Sequence, residues 1–191
     1  MNKNKGFSLI ELITVVAIMA VVATGIGITV FSQSSWKCRQ AKDIAYNKLQ
    51  QTRSEALAKN GAWMEICYEN GQCVLKSSFD GDQPLGKQVE VYYYWQKGPG
   101  SSATSTGPVK INSSNSLVLT FSRGTGGFQT MKEGVSTSTD PSGNVTVSYT
   151  EAVGKSNQTY CSKIRITGKN GSNGYTFTLH PVTGKFECEK D

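Results

Sequence analysis

KGFSLIELITVVAIMAVVATGIGITVF, Lys5 to Phe31, is the stretch on which the fold turns. From Phe7 to Phe31 its 25 residues carry one charge, Glu11. A helix of that length reaches across a hydrocarbon core of about 30 Å. Lys3 and Lys5 precede it and no acid does. The positive-inside rule then leaves the N-terminus in the cytoplasm and sends the remainder across. A cleaved secretory signal has the same basic start, but its apolar stretch is only about 7–15 residues long. Here small residues occur from Ala20 to Gly27, yet the chain stays apolar beyond them.

Glu11 is the odd residue in that run. A carboxylate in a spanning helix costs roughly 2.5–3.5 kcal/mol on insertion scales, so a positive partner at the same depth is expected. A cut after Gly6 would give Phe7 a free amine one helical turn away, on the same chain or on a neighbour. The competing reading is a tolerated charge near the helix end, reached by water.

KGFSLIEL, Lys5 to Leu12, resembles the signal of type IV prepilins: a short basic leader, Gly before the cut, Phe after it and Glu at the fifth mature position. The chain thus resembles a type IV pilin or pseudopilin. The resemblance implies cleavage between Gly6 and Phe7 by a prepilin peptidase, N-methylation of Phe7, and pairing of Glu11 with the Phe7 amine of a neighbouring subunit. It implies as partners other pilin subunits, an inner-membrane assembly platform and membrane lipid. It also implies a head outside the membrane and, after assembly, at the cell surface. One departure is visible. Many pilins carry Pro late in this helix, where this chain has Gly25 and Gly27. Each Gly weakens a helix by about 1 kcal/mol relative to Ala, so locally extended helix remains compatible with the sequence.

After Phe31 the chain turns polar but stays helix-friendly to Asn60. Ala41, Ala45, Leu49 and Ala56, with Ile44 and Thr52, recur at spacings of three, four and seven, which makes one apolar face. Lys37, Lys42, Lys48, Arg53 and Lys59 are expected mostly elsewhere. Asn60-Gly61 is a stop signal. The formal charge of +6 is concentrated in this stem: residues from 60 onward carry 12 basic and 11 acidic side chains. A basic chain can bind nucleic acid, but here the excess sits on one short helical stretch.

From Ala62 the pattern changes to short alternating runs. AWMEICY and QCVLKSS flank Glu69-Asn70-Gly71, a hairpin signal. QVEVYYYW, PVKI, SLVLTFS, VTVSYTE, CSKIRIT, GYTFTLH and GKFEC read as further strands, with a loop by composition at Lys97–Pro108. The expected class is α+β, one long N-terminal helix packed on an antiparallel sheet assembly. Its divisions are a leader (1–6), a transmembrane helix (7–31), an amphipathic stem (32–60) and a β-rich head (61–191). Within the pilin class, RSEALAKN followed by a strand ending in Cys67 resembles the helix-to-strand junction of GspH/FimT-type minor pilins and pseudopilins. LTFSRGTGGF and the tail KIRIT…TGKFEC resemble the strand-turn motif and last hairpin of the same group.

Five cysteines are present: Cys38, Cys67, Cys73, Cys161 and Cys188. A translocated head permits bridges. A two-residue Asn-Gly turn would put Cys67 and Cys73 on opposite faces, whereas a three-residue loop would bring them opposite each other, where a bridge is possible. Cys161 and Cys188 lie on separate strands, where a bridge would pin the tail. Cys38 is left over. His180 is the only histidine and no Cys-x-x-Cys occurs, which argues against a zinc site and against a catalytic triad. GTGG at 124–127 lacks the Lys-Ser/Thr of a phosphate loop. Asp80-Gly81-Asp82 reads as a turn before a cation site. No enzyme, metal or cofactor is expected.

Three functions fit. The first is a minor pilin at or near a pilus tip, the second a type II secretion pseudopilin. The third is a DNA-binding minor pilin, with Lys155, Lys163, Arg165, Lys169 and Lys185 as phosphate contacts if they share one face. Glu187, Glu189 and Asp191 adjoin them and oppose it. A single-pass anchored adhesin that never polymerises is a fourth class.

Overall fold

The computed structural model describes residues 8–58, 62–100, 104–142, 145–151, 158–169, 171 and 174–191, without the side chains of 23–34, 145, 150 and 151. Gly6, Phe7, the Asn60-Gly61 stop and Lys155 lie outside these residues. The helix α1 is Leu9–Ala58. The strands are β1 (Ala62–Glu69), β2 (Gln72–Ser77), β3 (Gln83–Gly86), β4 (Val89–Lys97), β5 (Thr106–Lys110), β6 (Leu117–Phe121), β7 (Lys132–Thr139), β8 (Val145–Glu151), β9 (Thr159–Gly168), β10 (Tyr175–His180) and β11 (Lys185–Lys190). The α+β class therefore holds: a helix beside an antiparallel, sheet-rich region, compatible with a pilin fold.

The strands form two sheets, ordered β3-β2-β1-β6-β7-β8 and β11-β10-β9-β4-β5. The stem half of α1 packs on both, touching β1 to β3 of one and β9 and β10 of the other. Ala41, Ala45, Leu49, Thr52 and Ala56 are buried as their spacing requires, and Ile44 is half-buried. Small alanines let the sheets approach the helix closely. Facing them are Met64, Ile66, Leu75 and Leu119 from the first sheet and Tyr93, Ile164, Ile166 and Phe177 from the second. Each set alternates along its strand, because neighbouring strand residues point to opposite faces.

Two strands escaped the sequence. β3 is four residues long and contains Pro84. β7, KEGVSTST, shows no apolar alternation and is held by its pairing with β8.

One correction concerns the stem. Lys48 is 2% exposed and lies on the buried face, not the polar one. Its aliphatic stem packs in the core while its ammonium reaches Asp80 Oδ2 at 3.1 Å and the Gly81 carbonyl at 3.4 Å. That is the snorkelling open to a long cation at the edge of a core. The Asp80-Gly81 turn is thus met by the Lys48 ammonium of α1. Lys42 pairs with Asp43 and stands over the Tyr175 ring. Two of the cations that the sequence concentrates in the stem, Lys42 and Lys48, are thereby paired.

Candidate functional site

The start of α1 is built by Ser8 and Glu11. The Ser8 Oγ accepts from the Ile10 N–H at 3.3 Å, and the Glu11 carboxylate accepts from the Ser8 N–H at 2.9 Å. This is a capping box: the helix N-terminus has orphan donors, and a Ser with a Glu three residues on satisfies them reciprocally. The motif S-L-I-E was visible in the sequence and its capping role went unread there. It aims the Glu11 carboxylate at the peptide nitrogen that directly follows Phe7. The negative charge also sits at the positive end of the helix dipole. Thr14 donates back to the Ile10 and Glu11 carbonyls and so costs the segment no exposed donor.

Beyond the cap, Leu9, Ile10, Leu12, Ile13, Val15, Val16, Ile18, Met19, Val21 and Val22 are all exposed. They leave the helix on every side, so no single face of the head could cover them. A patch of that size on a soluble chain marks an interaction surface. Among the described residues no helix is long and apolar enough to cross a membrane. The span expected from the sequence runs to Phe31, and the side chains of its second half lie outside that description.

The sulfur chemistry differs from expectation. None of the five cysteines is in a disulfide. Asn70 and Gly71 form the two-residue turn, both at positive φ (51° and 79°), with Glu69 opposite Gln72. Cys67 then stands opposite Val74 and Cys73 opposite Tyr68, so the two thiols point to opposite faces and cannot bridge. Burial pushes Cys67 up to about 12 and Cys73 up to about 11. Cys161 and Cys188 are separated by β10: Phe177 faces Cys188 on one side and Ile164 on the other. Two strand spacings make roughly 9–10 Å, beyond the ~7 Å Cα limit for a disulfide. Cys38 is fully buried and its thiol donates to the Ile166 carbonyl.

Of the basic tail residues, Lys163 and Arg165 share one face of β9, opposite Tyr94 and Tyr92 of β4. Lys110 joins them from β5 beside Tyr92. Lys185 is three strands from β4, opposite His180, and Lys169 lies past the end of β9. Acids interleave with them. Arg165 pairs with Asp191 at 2.6 Å and Lys110 with Glu90 at 2.7 Å. Glu187 and Glu189 stand opposite Thr178 and Thr176 on the neighbouring strand. The cations are brought to one sheet but not to one uncompensated patch. His180 is half-buried, 3.9 Å from Glu187.

A second constellation went unread in the sequence. Arg53 of α1 lies under two turns, Gly124–Gly127 after β6 and Thr183-Gly184 between β10 and β11. Its Nη2 donates to the Thr183 carbonyl at 3.2 Å. A Cβ on Gly126 would meet the Leu57 and Arg53 side chains, and one on Gly184 would land on the Gly126 carbonyl oxygen. Gly126 and Gly184 both sit at φ 64°. The Phe128 N–H donates to the Pro181 carbonyl at 2.8 Å, which stitches the two sheets together. Three separated sequence motifs, RSEALAKN, SRGTGG and TGKF, therefore meet at one joint between helix and sheets.

The prokaryotic N-terminal methylation motif matches residues 1–27. The match supports a type IV pilin-like chain, processed as a prepilin, anchored by its N-terminus and assembled with other pilins. No curated protein and no solved structure matches the chain.

Proposed function

Starting from a prepilin-type N-terminus, we propose that this chain is a minor pilin: a filament subunit cut between Gly6 and Phe7, N-methylated on Phe7, and built into a pilus through its N-terminal helix. The observation that carries this reading is the front of α1, apolar on every side and exposed, with one carboxylate held at its capped end. A segment apolar all round is accommodated in lipid or among other such helices. The chain would pass from one to the other, with residues 7–31 in the bilayer before assembly and in the filament core afterwards. Glu11 already caps the nitrogen after Phe7. Release of the Phe7 amine would put a positive charge beside it, and in the filament the same carboxylate could serve a neighbour's amine. Neutralising that charge offsets the cost of carrying Glu11 into an apolar core.

The stem and head would form the pilin fold, and the meeting of the three motifs at Arg53 supports a GspH/FimT-type head. The chain is not read as an enzyme: Glu11 and the cleavage site are substrates and contacts of assembly, and no side-chain set in the head is assigned to chemistry. The interleaved acids on the β9 face do not favour the DNA-binding alternative. A type II secretion pseudopilin has the same physics and remains the competing reading.

Mass spectrometry of sheared filaments and membranes tests the proposal. A chain beginning at N-methyl-Phe7, in the sheared fraction and scarce beside another pilin, is the expected result. Methyl-Phe7 confined to the membrane would favour the pseudopilin. Retention of Met1–Gly6 would overturn both.

A further inference from the structure

Contacts along α1 fix which end of the head lies toward the apolar front of the helix. The Cys38 thiol donates to the Ile166 carbonyl, and the Lys42 ammonium stands over the Tyr175 ring. Further along the helix, Arg53 reaches Thr183. So β9 ends and β10 begins near the front of the stem. Strand pairing carries that level across both sheets. Val89 faces Gly168, the Lys169 N–H donates to the Gln88 carbonyl at 2.9 Å, and Lys110 faces Tyr92. Cys73 faces Gly86. The β1–β2 turn, the β3–β4 turn and the ends of β5 and β9 therefore gather where the apolar segment leaves the head.

Three lysines meet there. Lys87, Lys110 and Lys169 line a cleft of about 280 Å³ between the two sheets. Its floor is apolar: Cys73, Val89 and Ile111 are all buried. One carboxylate, Glu90, also lines the cleft, and it is engaged. It accepts from Lys110 at 2.7 Å and from the Tyr92 hydroxyl at 2.8 Å. Two more acids at this end, Glu69 and Asp191, pair with Lys76 and Arg165, and Glu189 adjoins Lys190. Lys87 and Lys169 are exposed. The cleft thus keeps a positive excess above an apolar floor.

On the helix at the same level, Trp36 is 65% exposed and shares a groove with Arg39. The head packs instead on Cys38 and Ala41. Trp is enriched where an apolar layer meets water, because its ring is apolar and its N–H seeks a polar partner. Trp36 follows Phe31 by about 7–8 Å of helix. The headgroup layer outside a hydrocarbon core is about 5–8 Å thick.

We infer that this end of the head is seated on the bilayer that α1 leaves, with an anionic phospholipid headgroup in the lysine cleft. Trp36 and Arg39 occupy the interface on the other side of the helix. The inference rests on reading residues 7–31 as a membrane span and adds the lipid that the head contacts. The ammonium groups meet phosphate oxygens as point charges, and each cation near an anionic leaflet adds to the attraction. The apolar floor accommodates the glycerol and the first methylenes of the acyl chains.

The test places the full-length chain in nanodiscs of phosphatidylcholine, alone or mixed with phosphatidylglycerol. Its amines are acylated briefly and each lysine is read by peptide mass spectrometry. Lys87, Lys110 and Lys169 are expected to react about fivefold more slowly in the anionic discs. Lys185, at the opposite end of the head, should not change. Lys87→Gln with Lys169→Gln should remove the difference at Lys110. Brominated lipid should quench the wild-type tryptophan emission, and should quench Trp36→Phe, which keeps Trp63 and Trp95, far less. Acylation independent of lipid, equal slowing at Lys185, or equal quenching of Trp36→Phe in an inserted chain would each overturn the seat and leave the span standing. Equal protection by inorganic phosphate in detergent micelles would overturn it in favour of a free-anion site. A chain that enters neither kind of disc would overturn span and seat together.

Discussion

The two ends of α1 are made of the same backbone and do opposite things. From Leu9 to Val22 the helix is apolar on every side, and its large hydrophobic side chains are exposed among the described residues. From Ser35 to Ala58 it is amphipathic, and Cys38, Ala41, Ala45, Leu49 and Ala56 are almost fully buried against two sheets. Even Lys48 is drawn in, while exposed residues such as Trp36, Arg39 and Gln51 stay on the other side. The difference teaches that a helix takes its partner from its pattern. An apolar stripe about one face wide can be satisfied by a head of the same chain. An apolar cylinder cannot, and its partner must come from outside.

Breaking the front should leave the back intact. Glu11→Ala is expected to reduce incorporation into sheared filaments by at least about tenfold, the factor equivalent to 1.4 kcal/mol. Membrane insertion and the thermal midpoint of the head should stay unchanged. Loss of insertion along with incorporation would mean that Glu11 acts in membrane entry and not in assembly.

Breaking the back should do the reverse. Gly184→Ala forces a side chain into the Gly126 carbonyl at a positive φ, and is expected to cost about 2–4 kcal/mol of head stability. Denaturant unfolding of the full chain in detergent, followed by near-UV circular dichroism, would measure it. A neutral result would mean that the joint at Arg53 is loose.

The Lys48–Asp80 pair sharpens the comparison at the stem. Asp80 accepts from the Lys48 ammonium, which holds its carboxyl below the ordinary value. A depressed folded pKa gives stability that is present above about pH 4, the unfolded value, and is lost as pH falls through the folded one. The wild-type chain should therefore lose stability below about pH 4 more steeply than Asp80→Asn does. Equal acid slopes would show that the pair is screened to insignificance. Lys48→Ala should cost about 1–2 kcal/mol, and Lys48→Met less, because most of the buried contact belongs to the aliphatic stem.

The smallest expected effect is at the β1–β2 turn. Asn70 sits at φ 51°, so Asn70→Ala should cost about 1 kcal/mol and Asn70→Gly close to nothing. The same unfolding assay applies. Equal costs for the two would mean that the Asn side chain, and not its backbone angle, holds the turn.

How far the sequence could be read depends on the range of the forces involved. The helix pattern, the Asn-Gly turn and nine strands rest on neighbours within a few residues, and their periods and turn chemistry are written locally. β3 and β7 are not, because one is cut short by Pro84 and the other is paired without being apolar. Ser8 and Glu11 were legible as a capping box. The Cys67–Cys73 candidate was decided by the two-residue Asn-Gly turn, but the Cys161–Cys188 candidate failed because strand order, which puts β10 between them, carries no local signal.

By itself, then, the sequence determined that a charged-then-apolar front with Glu11 at its start precedes an amphipathic stem and a β-rich head. Only the tertiary structure decided that the strands split into two sheets. It alone decided that Lys48 and Arg53 turn inward to an aspartate and two glycine turns, and that the thiols stand apart. The physical reason is that periodicity and capping act over a turn or a pleat. Burial, by contrast, is settled by which distant segments come to share a core, and a cation such as Lys48 joins that core once a carboxylate from another element meets it there.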